Sequence, residues 1–116
     1  MKKMFLFLIV SLMLIEYSFA GEWYQGGTLH GSTLSGWYKA SYENRLATCS
    51  DWIVGLVDKK QHGTLFKNNM RVLKSLSKQM ENCVTDGNKE NGKILLPTMK
   101  SAESALVCWM LIQSNN

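Results

Sequence analysis

Apolar residues gather in four blocks along this chain, and the blocks differ in period. The first, residues 4–15 (MFLFLIVSLMLI), is apolar throughout except at Ser11. In the second, at about 100° per residue, Leu34, Tyr38, Tyr42, Leu46, Cys49, Trp52, Ile53, Leu56 and Val57 share one broad face. Glu43, Ser50, Asp51 and Asp58 fall away from it. This predicts a first helix over about 34–59, with Thr33 or Ser32 as its cap, because a hydroxyl accepts an amide proton left without a partner in the first turn. A turn at 60–63 (KQHG) follows, and Thr64 can cap a second helix over about 65–84. Leu65, Phe66, Met70, Val72, Leu73, Leu76, Met80 and Cys83 form its apolar face, while Lys67, Arg71, Lys74 and Lys78 stand opposite.

A polar loop at 85–93 (TDGNKENGK) leads to the last block. Pro97 suits the first turn of a helix, where its missing amide proton would have no partner, so a third helix is expected over about 97–113. Its end, 105–112 (ALVCWMLI), is apolar all round. Such a helix is central to a bundle or belongs to an interface. The N-terminal arm or a second subunit is expected to cover part of it, which makes a homodimer through this helix one reading. Residues 21–32 (GEWYQGGTLHGS) read as a glycine-rich irregular arm whose Trp23 and Tyr24 dock on the core. No helix block alternates with period two. The fold class expected is all-α, a small three-helix bundle with an irregular N-terminal arm and one disulfide.

The first apolar block lies outside that bundle. Lys2 and Lys3 precede it, and Ser18 and Ala20 place small residues three and one positions before Gly21. This is the order of a cleavable secretory signal. The block also falls short of the roughly 20 apolar residues that span a bilayer. The expected organisation is a signal peptide over 1–20 and one helical domain over 21–116, with no membrane span after cleavage. The expected destination is the periplasm, or secretion beyond it.

Charge changes the picture little. Of 13 Lys/Arg and 9 Asp/Glu, the leader takes Lys2, Lys3 and Glu16, leaving a net +3. That is no nucleic-acid footprint, which needs a clustered patch. The row Lys67, Arg71, Lys74, Lys78 reads first as a solvated helix face, and otherwise as a stripe for an acidic partner or an anionic lipid surface. Arg45 interrupts the apolar stripe of the first helix. Its stem packs and its head snorkels to water, or it is a partly buried cation holding a carboxylate or a partner.

Export makes Cys49, Cys83 and Cys108 a bridge plus a spare thiol. A Cys83–Cys108 bridge would staple the polar loop and third helix to the second. Measured from a helix start at Pro97, however, Cys108 stands about 16 Å along its axis, nearer the level of Cys49. Both Cys83–Cys108 and Cys49–Cys108 stay open on these grounds. No Cys-x-x-Cys occurs, and neither His30 nor His62 has ligand spacing to a cysteine, so no metal or cofactor is expected. No Gly-x-Ser-x-Gly, His-Glu-x-x-His or phosphate loop appears. The chain is read as not an enzyme.

Gly26-Gly27-Thr28-Leu29-His30, Trp37 and Asn44-Arg45-Leu46-Ala47-Thr48 resemble the start of a group of small exported bacterial proteins of unassigned function. In that group a small residue often stands where Cys49 is, which adds weight to Cys83–Cys108. Cys49-x-x-Trp52-Ile53-x-Gly55-Leu56-x-Asp58 is similar to a helix signature of the Rap/Tai immunity proteins of type VI secretion. These are small, helical, disulfide-bonded binders of peptidoglycan amidase toxins. The Cys-Pro common in that family is Cys83-Val84 here. The resemblance implies a periplasmic protein binder of the immunity or inhibitor kind, and carries over no inhibitory residues. A fold-level analogy to acid-stress chaperones of the periplasm gives the alternative.

Overall fold

A computed structural model describes residues 21–57 and 66–115. The signal segment 1–20, the 60–63 turn with His62, the Thr64 cap, Leu65 and Asp58 lie outside the described residues. The chain is mostly helical: α1 (Leu34–Lys39), α2 (Tyr42–Val57), α3 (Met70–Gly87) and α4 (Ser101–Ser114), with a hairpin of β1 (Lys89–Glu90) and β2 (Lys93–Ile94) between α3 and α4. The bundle is built by α2 against α3 and α3 against α4, with a lighter contact of α2 to α4.

The first predicted helix is two helices. Thr33 caps α1, its hydroxyl accepting from Gly36 N–H. Ala40 then turns extended, at φ −82° and ψ 160°. Ser41 restarts the chain as a cap, its Oγ accepting from Asn44 N–H at 3.2 Å. The break leaves the Ala40 carbonyl without a helical partner, and Arg45 Nη1 donates to it at 3.0 Å.

The third predicted helix starts later than Pro97, for a reason that sits at the other end of the chain. The first amides of α1 have no partners within their own helix. Leu34 N–H donates to the Met99 carbonyl at 2.8 Å and Ser35 N–H to the Pro97 carbonyl at 3.0 Å. Thr33 and Lys100 form an antiparallel bridge, and Ser101 N–H reaches the Ser32 carbonyl at 3.0 Å. Pro97 and Thr98 are thereby held in a turn, closed by Met99 N–H on the Leu96 carbonyl at 3.1 Å, Lys100 is extended, and α4 begins at Ser101.

At the other boundary, α3 begins at Met70 rather than Leu65 and runs on through Thr85 to Gly87. Asn88 ends it, donating from Nδ2 to the Val84 carbonyl and to Ser104 Oγ. The expected loop then folds into the hairpin. Asn91 and Gly92 both have positive φ, 52° and 78°, which is what a two-residue hairpin turn matching strand twist requires.

Leu29, Leu34, Trp37, Cys49, Ile53, Phe66, Leu73, Met80, Val84, Ala105, Cys108, Trp109 and Ile112 form one core. Trp23 packs against it from the arm, with Tyr24 edge-on beside it at 5.5 Å. The expected helix faces need correcting. Ser50, expected outside, is 2% exposed, and Tyr24 of the arm lines the same hollow with Phe66, Met70 and Leu73. Tyr42, Leu56 and Val72, expected inside, stand out at 42%, 44% and 50%.

Cys83 and Cys108 form the disulfide, with Cα atoms 5.9 Å apart, and Cys49 is free and buried. The alternative pair lost its geometric argument when α4 started at Ser101. Cys108 is then only about 10 Å along its helix axis, at a level that faces Cys83. Closing a span of 25 residues stabilises by about 3 kcal/mol in the chain-entropy model.

Candidate functional site

Three features stand out on this scaffold: an internal polar network that opens to a cleft, an uncovered face of α4, and the cationic face of α3. The network starts at Arg45. Its head does not snorkel. Nε donates to Glu81 Oε1 at 3.0 Å, and the two side chains are only 16% and 8% exposed. Glu81 Oε1 also accepts from Thr85 Oγ1 at 2.8 Å, and Thr85 Oγ1 accepts from Trp37 Nε1 at 3.0 Å. Trp37 stacks on Trp52 with ring centroids 5.7 Å apart. One chain of contacts therefore joins α1, α2 and α3. Arg45 was visible in the sequence as an exception to the apolar stripe. Its partner Glu81 carried no such signal.

A cleft of about 550 Å³ opens beside the network, lined by Tyr38, Arg45, Thr85, Asp86, Lys89 and Gly92. The Tyr38 hydroxyl donates to the Thr85 carbonyl. Burial pushes its pKa up, helped by the nearby Asp86 and Glu81 carboxylates and opposed by Arg45. Lys89 Nζ lies over the ring at 4.7 Å. The cleft thus offers a protonated phenol and charges of both signs, which suits holding a polar group.

The thiols and the one described histidine are committed elsewhere. Cys83 and Cys108 are joined, and burial, aided by Glu81 and opposed by Arg45, drives the Cys49 pKa far up. A protonated, enclosed thiol is a core group, since the thiolate is the reactive form. His30 Nε2 meets Asp51 Oδ2 at 2.8 Å, with Trp52 edge-on to its ring. Among the described residues, no group of three His, Cys, Asp or Glu is placed to hold a metal ion.

The α4 helix divides into two unlike sides. Ala105, Cys108, Trp109 and Ile112 are buried, whereas Leu106, Val107, Met110 and Leu111 are 49%, 49%, 57% and 54% exposed. Spacings of three and four place these last residues side by side on the surface. Glu103 is the only charged residue of α4 and lies before the patch. Apolar hollows flank it: one of about 220 Å³ by Trp52, Leu56 and Leu106, another of about 280 Å³ by Leu96, Val107 and Leu111. The arm, expected to cover part of this surface, lies along α2 instead. Its hydrogen bonds to α4 are at the helix start, where Ser101 N–H donates to the Ser32 carbonyl and Ser32 Oγ meets Ser101 Oγ, both at 3.0 Å. Among the described residues, no helix is long and apolar enough to cross a membrane.

The expected basic row keeps to the outside. Arg71, Lys74 and Lys78 are exposed on α3, and Lys67 is exposed in the turn before it. Comparison with family models, with curated proteins and with solved structures finds no match to this chain.

Proposed function

We propose that this is a small exported protein of the periplasm that binds another protein, in the manner of an immunity or inhibitor factor, and catalyses no reaction. The observation that carries the reading is the charge-free apolar face of α4, left open by the described residues. Contiguous exposed apolar surface of this kind marks interaction sites in monomeric proteins. A disulfide supports export, because such bonds persist in oxidising compartments. Three of the residues similar to the immunity signature serve the fold: Cys49 and Ile53 are in the core, and Trp52 stacks on Trp37. They support a class of protein and leave the recognition to other residues.

The test is recovery of a stoichiometric partner from the envelope by the tagged chain. It is paired with a Leu106→Ser/Met110→Ser variant that should lose the partner while keeping its fold. Absence of any stoichiometric partner, or a partner held equally well by the variant, overturns the reading. Self-association abolished by the same variant would give the face to a second copy. Suppression of client aggregation at low pH without a fixed partner would give it to a stress chaperone.

A further inference from the structure

We propose that the outer face of α3, with the aromatic arm beside it, docks on an anionic lipid surface. This goes beyond the α4 reading and stands on separate residues. Lys67, Arg71, Lys74 and Lys78 are all exposed, and no carboxylate among the described residues forms an ion pair with any of them. The reason lies in the fold. Glu81 is the only carboxylate of α3 before Asp86, and Arg45 draws it inside. The other exposed residues beside the cations are uncharged, namely the polar Ser75, Gln79 and Asn82 and the apolar Val72.

The second observation is aromatic. The arm brings Trp23 to this side of α3, where Lys74 Nζ lies 5.6 Å from its ring centre, and Tyr24 packs edge-on against Trp23. Both rings are half-buried, each keeping part of its surface in solvent. Tryptophan and tyrosine beside a row of lysine and arginine match the headgroup level of a bilayer. There the rings sit at the boundary and the cations meet phosphates. Arg71 and Lys78 are about 10 Å apart along the helix axis. A convex row of that length fits a flat array of headgroups. The α4 face lacks this pattern, since none of its exposed apolar residues is interleaved with a cation.

The experiment is co-sedimentation of the whole chain with vesicles of one-third phosphatidylglycerol in phosphatidylcholine, against phosphatidylcholine alone. Taking the difference between the two removes any apolar anchoring common to both. Binding should be confined to the anionic vesicles and fall steeply between about 50 mM and about 500 mM salt, as the Debye length shrinks. Removing all four cations (Lys67→Gln, Arg71→Gln, Lys74→Gln, Lys78→Gln) should weaken it about fivefold per charge. Lys89→Gln/Lys93→Gln on the hairpin should leave it within about twofold, and circular dichroism should show both variants folded. Trp23→Ala should weaken binding without changing its dependence on salt. Equal binding to neutral vesicles, an unaffected fourfold variant, or an equal loss in the hairpin variant overturns the proposal. So does retention on polyglutamate without vesicle binding, which would assign the row to an acidic protein.

Discussion

Thr28 and Asn44 exchange two hydrogen bonds where the arm crosses α2, at 2.9 and 2.8 Å, whereas Leu106 and Met110 on α4 leave about half their surface open. The arm side is polar in composition and closed in structure. Leu29 N–H donates to Thr48 Oγ1, which in turn donates to the Asn44 carbonyl, and His30 meets Asp51. The α4 side is apolar in composition and open. The difference teaches that residue type alone does not decide which surface of a small domain is inside. Thr48 and Ser50 are buried because a neighbouring segment satisfies or covers them, and Leu106 is half exposed because none of the described segments covers it.

The contrast can be broken most severely from the network side. Glu81→Ala would leave Arg45 enclosed without its carboxylate, at a cost of about 3–5 kcal/mol in urea unfolding. Replacing both partners by apolar residues of similar volume should recover much of the loss. A result within about 0.5 kcal/mol for Glu81→Ala would mean that the pair is open to water.

Next in size is the contact of arm and helix. A Cβ on Gly27 would stand 2.6 Å from the Thr48 backbone nitrogen and 2.8 Å from its Cα. Backbone cannot yield as a side-chain tip does, so Gly27→Ala should cost about 1–3 kcal/mol. It should also raise amide exchange at Thr28 and Leu29. The same substitution at Gly26, where a Cβ meets nothing within 4 Å but φ is +83°, would report backbone strain without the clash.

Alkaline titration sharpens the comparison further. The pKa values of Cys49 and Tyr38 are raised in the folded protein. The unfolded chain therefore loses those protons first, and stability present at neutral pH declines as pH climbs past the ordinary values of about 9 and 10. Cys49→Ala should flatten the earlier part of that decline in a series of denaturation curves. An unchanged profile would place the alkaline transition elsewhere.

The smallest expected effect is on the open side. Leu106→Ser and Met110→Ser should each change stability by no more than about 0.5 kcal/mol, as for surface positions generally. A loss of about 2 kcal/mol or more would show that something covers this face in the free protein.

Helical periodicity, the amphipathic α3, an arm carrying docked aromatics and the anomaly of Arg45 were all legible along the chain. Each is a local pattern of residue types, and such patterns report the side that an element turns inward. The hairpin turn at Asn91-Gly92 lay inside a polar run that read only as a loop. The open half of α4 was visible only as a helix without a polar face.

Other features depended on residues far apart in sequence. The start of α4 was set by the unpaired amides of α1, some 65 residues earlier, which claimed the Pro97 and Met99 carbonyls. That shift brought Cys108 level with Cys83 and decided the bridge between two pairings that spacing left open. Glu81 became an internal partner only when α3 packed against α2, and its withdrawal left the outer row of cations without an ion pair among the described residues. The physical reason is common to all three. Periodicity is a one-dimensional record of burial, whereas hydrogen-bond and charge satisfaction is settled between segments that meet only in the folded chain.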